Sequence, residues 1–411
     1  GRVVYRTNRS GASAGRGLSP SFRTVLIYHP GMTTASNVRP SVAGAQPTGT
    51  MRALVKHHAG TELQLVQRPI PEPGPRDVLI RVKKVGICGT DRHIWEWDAW
   101  AASRIPVGII TGHEFVGEIV RVGSAVTRYQ PGQRVSAEGH ISPGTGYNAR
   151  TGNAHIAEGM QILGVDRDGC FAEYVCVPED NVWPVHRDIS DKIAAVLDPL
   201  GNAVHTVMSA NVSAKTVLIT GVGIIGLMAV TVAKAAGASR IFVTDVNAGR
   251  LALAKKLGAT EAYNTYVPPP PREPTGGPHT AHAGTPEWIK DLRKATRGDG
   301  PDVLLEMSGH PAAINDGFAA LRMGGTAALL GIPNMPFTFD LTNHIVFKAA
   351  TVLGINGRKM FETWYQMESL LLSGRLELDE IITHDLPLAD FTQGFRCMQS
   401  GEGIKVVMSV G

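Results

Sequence analysis

The segment VLITGVGIIGLMAVTVAKAAGASRIFVTDVN, residues 217–247, restricts the fold more than any other part of the chain. It contains a short β-branched apolar run, three glycines spaced G-x-G-x-x-G, a longer apolar run that ends at Gly237, and a second short apolar run. A strand, a glycine-rich turn, a helix and another strand in this order form a βαβ unit, which requires a parallel sheet. The segment therefore predicts an α/β protein with a doubly wound parallel sheet.

The glycines of this turn, Gly221, Gly223 and Gly226, predict a dinucleotide site. The first permits a tight turn, the second lets the backbone approach a pyrophosphate, and the third lets the helix pack closely on the strand. Asp245 ends the second strand, and its carboxylate is expected to accept hydrogen bonds from ribose hydroxyls and to repel a 2′-phosphate. We therefore expect NAD rather than NADP, although Arg250 is a residue that can accommodate such a phosphate.

The chain is long enough, at 411 residues, for two domains. Residues 51–198 carry short apolar runs separated by Gly and Pro, which predicts a β-rich domain. Residues 199–345 alternate strands and helices, and residues 346–411 contain a predicted helix followed by the strand-like KVVMSV. The prolines of VPPPPREPTGGPHTAHAGTP, residues 267–286, predict a surface loop or flexible insertion.

Charge and cysteine content exclude several classes of protein. Residues 1–50 contain six arginines and no acidic residue, whereas the rest carries 34 basic and 36 acidic residues and lacks the positive charge that nucleic-acid binding requires. The first 50 residues are expected to be a disordered extension in a cytoplasmic protein; a transit peptide to the mitochondrial matrix is the alternative. No apolar run reaches membrane-spanning length, and four scattered cysteines indicate a reducing compartment.

Cys88, in the segment GICGTDRHIWEWDAW, is a candidate metal ligand, although a free cysteine is most often a small buried apolar residue. His113 and Glu114 follow in TGHEF, and Asp198 lies in DPLGNAVHT. A thiolate, an imidazole and a carboxylate can fill three of the four tetrahedral positions on Zn²⁺ and leave the last for water or substrate. Such a site would activate the alcohol or carbonyl that exchanges hydride with a nicotinamide.

The motifs GICGTD, GHEF and GxGxxG, in that order, resemble the zinc-dependent medium-chain alcohol dehydrogenase superfamily. Within it, ICGTDRHIWEWDAW, DPLGNAVHT, GRKMFETWY and IITH are similar to the L-threonine 3-dehydrogenase family, from Met51 to Gly411 except for the proline-rich segment. The resemblance implies a GroES-like catalytic domain at 51–198, an NAD-binding Rossmann domain at 199–345 and a return to the catalytic domain at 346–411. It also implies oxidation of L-threonine to 2-amino-3-ketobutyrate by NAD, in a homo-oligomer such as a tetramer.

The resemblance assigns roles to single residues as well. Cys88, His113 and Glu114 match the zinc-binding positions, and Thr90 and His93 match a relay that carries the proton away.

Asp198 matches an acidic position that either binds the metal or takes part in the proton relay, so the choice between Glu114 and Asp198 as ligand stays open. The cofactor positions that the resemblance adds to the three glycines are Ile225, Asp245, Arg250, Leu330, Gly331, Ile332, Ile355 and Asn356.

One lobe departs from the family pattern. The family holds a second, structural zinc with four cysteines spaced C-x2-C-x2-C-x7-C, and an alignment from EGH places Pro143, Gly146, Ala149 and Ala157 at those positions. None of these side chains binds metal, so we expect one zinc per chain and a lobe that is mobile or packed differently. His155 in the same loop is expected to be solvated rather than a ligand.

A second departure lies in GINGRK, where the family resembles GIYGRE. Asn356 replaces an aromatic residue and Lys359 reverses a charge, so two alternatives to threonine oxidation stay open. One is another zinc polyol or secondary-alcohol dehydrogenase, similar to sorbitol dehydrogenase. The other is a catalytically silent nucleotide-binding protein.

Overall fold

The computed structural model describes residues 47–266 and 285–411. The predicted N-terminal extension up to residue 46 and most of the predicted proline-rich loop lie outside these residues.

The first part of the described chain is rich in strands, as its short apolar runs predict. The strands are β1 Thr50–Val55, β2 Gln64–Pro69, β3 Asp77–Gly86, β4 Glu114–Val122, β5 Arg134–Ala137, β6 His140–Ile141, β7 Gln161–Ile162, β8 Tyr174–Pro178 and β9 Val182–Pro184. The helices among them are α1 Gly89–Glu96, α2 Ala99–Arg104, α3 Gly146–Arg150, α4 Asp191–Ala194 and α5 Leu197–Ser209. β1 pairs with β2 and β6 with β7, both antiparallel.

Strands and helices alternate from residue 216 onward. The strands are β10 Thr216–Thr220, β11 Arg240–Asp245, β12 Glu261–Asn264, β13 Val303–Glu306, β14 Thr326–Leu329 and β15 Thr351–Gly354. The helices are α6 Ile224–Ala235, α7 Ala248–Leu257, α8 Glu287–Ala295 and α9 Pro311–Ala320. The strand order β12-β11-β10-β13-β14-β15 is parallel throughout, which confirms the predicted doubly wound sheet. The order reverses between β10 and β13, where such sheets bind ligands.

The last elements join the β-rich sheet again. They are α10 Glu362–Leu372, β16 Ile382–Pro387, α11 Phe391–Ser400 and β17 Lys405–Ser409. β17 pairs antiparallel with β3, which gives a seven-stranded sheet ordered β16-β17-β3-β4-β5-β9, with β8 also on β3. The predicted domain ranges stay predictions; β15 belongs to the parallel sheet although it follows residue 345.

Helix α6 lies at the centre of the larger apolar core. Its residues from Gly226 to Ala233 are all buried, because it packs against the parallel sheet on one side and against α5 on another. Helices α6 and α7 both end beside a glycine: Gly237, which predicts the end of α6, has φ +85°, and Gly258, after α7, has φ +126°. None of the described helices is long and apolar enough to span a membrane.

Candidate active site

Cys88 lies at the junction between β3 and α1, where it caps the N-terminus of the helix. Its Sγ accepts a hydrogen bond from the backbone N–H of Thr90 at 3.2 Å. Its own N–H donates to Oδ2 of Asp91 at 2.9 Å, so the two residues form a reciprocal capping box. The cap fixes the position of the sulfur.

His113 directly precedes β4, and its Nε2 lies 3.0 Å from Sγ of Cys88. The strand register explains this contact between residues 25 positions apart, because β3 and β4 are antiparallel and Gly86 pairs with Glu114. The residues that follow β3 and precede β4 therefore lie at the same end of the sheet. The sequence-predicted thiol and imidazole are brought together.

Two carboxylates complete this cluster. Glu114 begins β4, and Asp198 lies in the first turn of α5. Among the described residues, the potential ligand atoms of His113, Glu114 and Asp198 lie within 4.8 Å of one another, and so do those of Cys88, Asp91 and His113. The two groups share His113. All four sequence-predicted ligand candidates therefore lie at one place.

The donor atoms of this cluster fit a zinc ion. Oε1 of Glu114 and Oδ2 of Asp198 are buried without a hydrogen-bond partner in the described part of the chain. Such an unpaired buried polar group costs about 1–3 kcal/mol, and sulfur, imidazole nitrogen and carboxylate oxygen are the ligands that Zn²⁺ takes in proteins. Cys88, His113 and one or both carboxylates would hold it.

The charge balance of the cluster also favours a cation. Burial lowers the pKa of His113, but the charges of Cys88, Asp91 and Asp198 outweigh this effect and raise it well above its ordinary value. Burial raises the pKa of Cys88, and the charge of Asp91 raises it further. The protein environment at this point therefore stabilises positive charge.

Each of the two carboxylates has one oxygen held by a buried cation. Nζ of Lys405, at the start of β17, lies 2.5 Å from Oε2 of Glu114. Nη1 of Arg358 lies 2.7 Å from Oδ1 of Asp198. Because the other oxygen of each carboxylate stays free for a metal, this geometry is compatible with either ligand.

Arg358 and its partner Glu138 belong to a buried network that the sequence does not reveal. Oε2 of Glu138 accepts hydrogen bonds from Nε of Arg358 at 2.9 Å and from Nε1 of Trp364 at 2.8 Å, and Oε1 accepts from the backbone N–H of His140 at 2.9 Å. Burial raises the pKa of Glu138, but the charge of Arg358 and the hydrogen bonds from the side chains of His140 and Arg358 bring it far below its ordinary value. The segments EGH and GRK carry the two charges, but nothing local pairs them.

The two residues of the predicted proton relay, Thr90 and His93, lie three positions apart in α1 and therefore on one face of the helix. The backbone of Thr90 contacts the sulfur of Cys88. His93 is half exposed, and its Nδ1 lies 2.5 Å from Oδ2 of Asp98. The helix thus runs from the metal cluster towards solvent.

The glycine turn has the geometry that a dinucleotide needs. Gly221 has φ +83°, and a Cβ on Gly226 would lie 2.1 Å from the carbonyl oxygen of Gly221. A Cβ on Gly223, the N-cap of α6, would meet nothing within 4 Å. The space beside Gly223 is open, and the helix N-terminus presents its unpaired N–H groups there.

Asp245 ends β11 beside this turn. Its Oδ2 accepts from the N–H of Val222 and its Oδ1 from the N–H of Asn247, both at 2.8 Å. Nε of Arg250, in the first turn of α7, is buried without a hydrogen-bond partner in the described residues. The carboxylate is therefore held rigidly, whereas the guanidinium is available to a ligand.

The remaining predicted cofactor positions share one edge of the parallel sheet, the carboxyl ends of its strands, where dinucleotides bind. Ile225 lies in the first turn of α6; Leu330, Gly331 and Ile332 follow β14; Ile355 and Asn356 follow β15.

In the lobe of residues 142–160, the exposure of His155 differs from the prediction. The prediction that this side chain is solvated is wrong: it is 6% exposed. Its ring packs edge-on against the ring of His205 in α5, with centroids 5.6 Å apart and an interplanar angle of 88°. Pairing with a residue 50 positions away buries it. Ala157, at one of the four positions without cysteine, is also buried.

Comparisons with known proteins agree with this geometry. The model of the alcohol dehydrogenase GroES-like domain matches residues 74–187, and that of the zinc-binding dehydrogenase matches residues 225–373. A curated relative from Chelativorans sp. (strain BNC1), named L-threonine 3-dehydrogenase, is 46% identical over 361 residues, 88% of this chain and 99% of its own. One of the same name from Bacillus subtilis (strain 168) is 44% identical over the same shares of both chains.

Solved structures of dehydrogenases share the fold. A zinc-binding dehydrogenase from Sinorhizobium meliloti 1021, bound to NADP, has a TM-score of 0.76 and 26% identity and covers 88% of this chain and 100% of its own. The alcohol dehydrogenase rspB from E. coli CFT073, complexed with NADH, has a TM-score of 0.76 and 25% identity and covers 88% of this chain and 99% of its own.

Proposed function

This chain belongs to the family of zinc-dependent alcohol dehydrogenases that includes these L-threonine 3-dehydrogenases, and we propose that it oxidises L-threonine to 2-amino-3-ketobutyrate with hydride transfer to NAD⁺. The observation that carries the proposal is the convergence of Cys88, His113, Glu114 and Asp198, with carboxylate oxygens left unpaired. The similarity to relatives of that name supports the choice of substrate.

The chemistry supplied by a bound Zn²⁺ is Lewis-acid polarisation of the alcohol oxygen, which eases loss of its proton, and NAD⁺ accepts the hydride. The chain's own residues move that proton and align the reactants. The Thr90 hydroxyl receives the proton and passes its own towards the imidazole of His93, which releases it to solvent. The turn from Gly221 to Gly226 holds the pyrophosphate, and Asp245 binds the adenosine ribose.

The preference for NAD over NADP rests on Asp245. Its carboxylate is fixed by two backbone N–H groups and cannot turn away from a 2′-phosphate without losing both. Arg250 is the residue through which NADP would still bind.

The proposed number of zinc ions rests on which residues carry metal-binding groups. One zinc per chain is proposed, at the cluster around His113, because Pro143, Gly146, Ala149 and Ala157 have no metal-binding groups.

The proposed assembly is a homo-oligomer, a tetramer by resemblance. β15 is the edge strand of the parallel sheet and is largely exposed. Large exposed apolar side chains lie in this strand or in the segment before it, a feature typical of protein interfaces: Ile332, Met335, Leu341, Val346, Phe347 and Val352. The predicted cytoplasmic location, with the mitochondrial matrix as its alternative, stays a prediction.

Substrate profiling tests the proposal. The purified protein is given NAD⁺ with L-threonine, sorbitol or a simple secondary alcohol, and NADH formation is followed beside metal analysis. We expect L-threonine to give the highest kcat/KM and the preparation to contain zinc. Highest activity with sorbitol would favour the polyol alternative, to which Asn356 also points. Absence of zinc together with absence of turnover would favour the silent nucleotide-binding protein.

A further inference from the structure

His93 and Asp98 form a close pair at the end of α1. Nδ1 of His93 lies 2.5 Å from Oδ2 of Asp98. The other carboxylate oxygen, Oδ1, accepts from the N–H of Ala101 at 2.9 Å and so caps α2. One oxygen of Asp98 is therefore committed to the helix and the other to the imidazole.

The imidazole is also held by an aromatic neighbour. The ring of Trp100 lies edge-on against it, with centroids 6.1 Å apart and an interplanar angle of 66°. Because Trp100 and Asp98 belong to the same short helix and its cap, one element sets the orientation of the ring. Nδ1 points at the carboxylate, and within residues 47–266 and 285–411 no hydrogen-bond partner reaches Nε2.

The charge state of Asp98 suits this contact. Partial burial raises its pKa, but the hydrogen bonds from the N–H of Ala101 and from His93 bring it below its ordinary value. The carboxylate is therefore ionised at neutral pH. The other charged side chains on α1, apart from Asp91 in the cap of Cys88, are Arg92 and Glu96, which pair with each other at 3.3 Å.

We propose that Asp98 is a positioning residue for the proton relay: it keeps the hydrogen of His93 on Nδ1 and leaves Nε2 free to accept the proton that the Thr90 hydroxyl passes on. This inference rests on the proposed function. The Nδ1–H bond to Asp98 stays in place throughout: Nε2 gains a proton, the carboxylate stabilises the imidazolium, and Nε2 then returns the proton to water, which reaches the half-exposed side chain. No change of tautomer interrupts the cycle.

A double-mutant cycle tests the inference. Asp98→Asn retains an oxygen that caps α2 but removes the charge. We expect it to lower kcat about tenfold, a fraction of what general base catalysis supplies, and to leave the KM for NAD⁺ and the zinc content unchanged. In a His93→Ala background the same substitution is expected to change kcat less than about twofold, because Asp98 acts only through the imidazole.

The matched control is Ser190→Ala. The hydroxyl of Ser190 caps α4 by accepting from the N–H of Ile193. Its removal is expected to leave kcat within about twofold of the wild-type value, since an exposed cap affects stability rather than proton transfer.

Each contrary outcome is distinct. A tenfold loss that persists without His93 would overturn the inference, because Asp98 would then act through the fold. Unchanged kcat in Asp98→Asn, with His93→Ala slow, would overturn it and leave the proposed function intact. Full activity of His93→Ala would contradict both the relay and the role of Asp98.

Selective ¹⁵N labelling of histidine, measured by NMR, tests the role of Asp98 without turnover. The Nδ1–H tautomer of His93 is expected, and the Nε2–H tautomer would contradict the role of Asp98.

Discussion

Two regions of this chain match places where its family holds zinc, and they have opposite electrostatic character. Around His113, a thiol and buried carboxylates raise the pKa of the imidazole well above its ordinary value. In the lobe of residues 142–160, burial, together with the charges of His205 and His140, lowers the pKa of His155 to about 4. The first histidine lies where positive charge is stabilised, and the second lies where it is not.

We relate the contrast to the different roles of the two metals. The proposed catalytic metal would supply chemistry that no apolar contact replaces, and the candidate ligands around His113 lie together with Oε1 of Glu114 and Oδ2 of Asp198 unpaired among the described residues. A structural metal supplies only folding energy, which packing can also provide. In the lobe, the buried ring of His155 packs on the partly buried ring of His205, and the methyl group of Ala157 is buried; we propose that this packing replaces the structural zinc.

The largest expected effect is that of Cys88→Ser. Loss of the thiolate removes a ligand and with it several kcal/mol of transition-state stabilisation, which corresponds to at least about 1,000-fold in kcat/KM. NAD binding, measured by fluorescence titration, is expected to change little. The control is Cys397→Ser in α11, a thiol outside the cluster, for which activity is expected to stay within about twofold. An active Cys88→Ser protein would contradict the role of the cluster around His113 as the catalytic metal site.

Removal of metal is expected to affect the cluster around His113 but not the lobe of residues 142–160. A chelator should release one zinc per chain and abolish turnover, while hydrogen exchange of amides in residues 142–160 stays as slow as before, because we propose that this lobe binds no metal. A second zinc per chain, or faster exchange in the lobe on chelation, would contradict the proposed packing.

The sequence predicts the parallel sheet because its signal is local. Strand, turn and helix of the nucleotide-binding unit lie within residues 217–247, and the glycines have the φ values and contacts that their spacing implies. The meeting of Cys88 and His113 is also predictable, but only from the motifs that the family resemblance supplies. The pairing of β3 with β4 then brings them together.

The remaining features depend on contacts that no local pattern encodes. Glu138 and Arg358 are 220 positions apart, and their pairing arises only when α10 packs against the β-rich part. The burial of His155 depends in the same way on α5. Short helices α1 and α2 also escape a periodicity analysis, because six to eight residues give too few turns.

Glu138 connects the two regions: Arg358, which pairs with it, also pairs with Asp198, and the charge of Glu138 acts on His155. Glu138→Gln is therefore expected to lower both stability and activity. The substitution leaves Arg358 buried beside a neutral amide, and breaking a buried pair costs about 3–5 kcal/mol in free energy of unfolding. Asp198 loses a well-oriented partner, so kcat should fall as well. Denaturant unfolding and kinetics measure the two effects.

The control for Glu138→Gln is Glu118→Gln. The carboxylate of Glu118 pairs with Arg81 and Lys83 at the surface, so its loss should change the free energy of unfolding by less than about 1 kcal/mol.

The pH dependence of the stability that Glu138 contributes has a fixed sign. Because the folded pKa of Glu138 is depressed, its contribution is present above the ordinary pKa of about 4.3 and is lost as the pH falls below that value. Equal effects of Glu138→Gln and Glu118→Gln on stability would contradict the role of Glu138 as the connection between the two regions.

The smallest expected effect concerns His155 and tests the lobe alone. Its folded pKa of about 4 lies below the value of about 6.5 for an unfolded histidine, so between these values the unfolded lobe binds more protons and stability falls as the pH falls. The groups that face it are His205, His140, Glu138 and Lys359. Hydrogen exchange of residues 142–160 is expected to show a loss of about 1 kcal/mol at pH 5, discounted for partial solvent screening. His155→Gln should remove this dependence, because the amide packs on His205 without titrating. A lobe whose protection stays constant from pH 7 to pH 5 would mean that His155 is not held neutral, and the electrostatic contrast with His113 would fail.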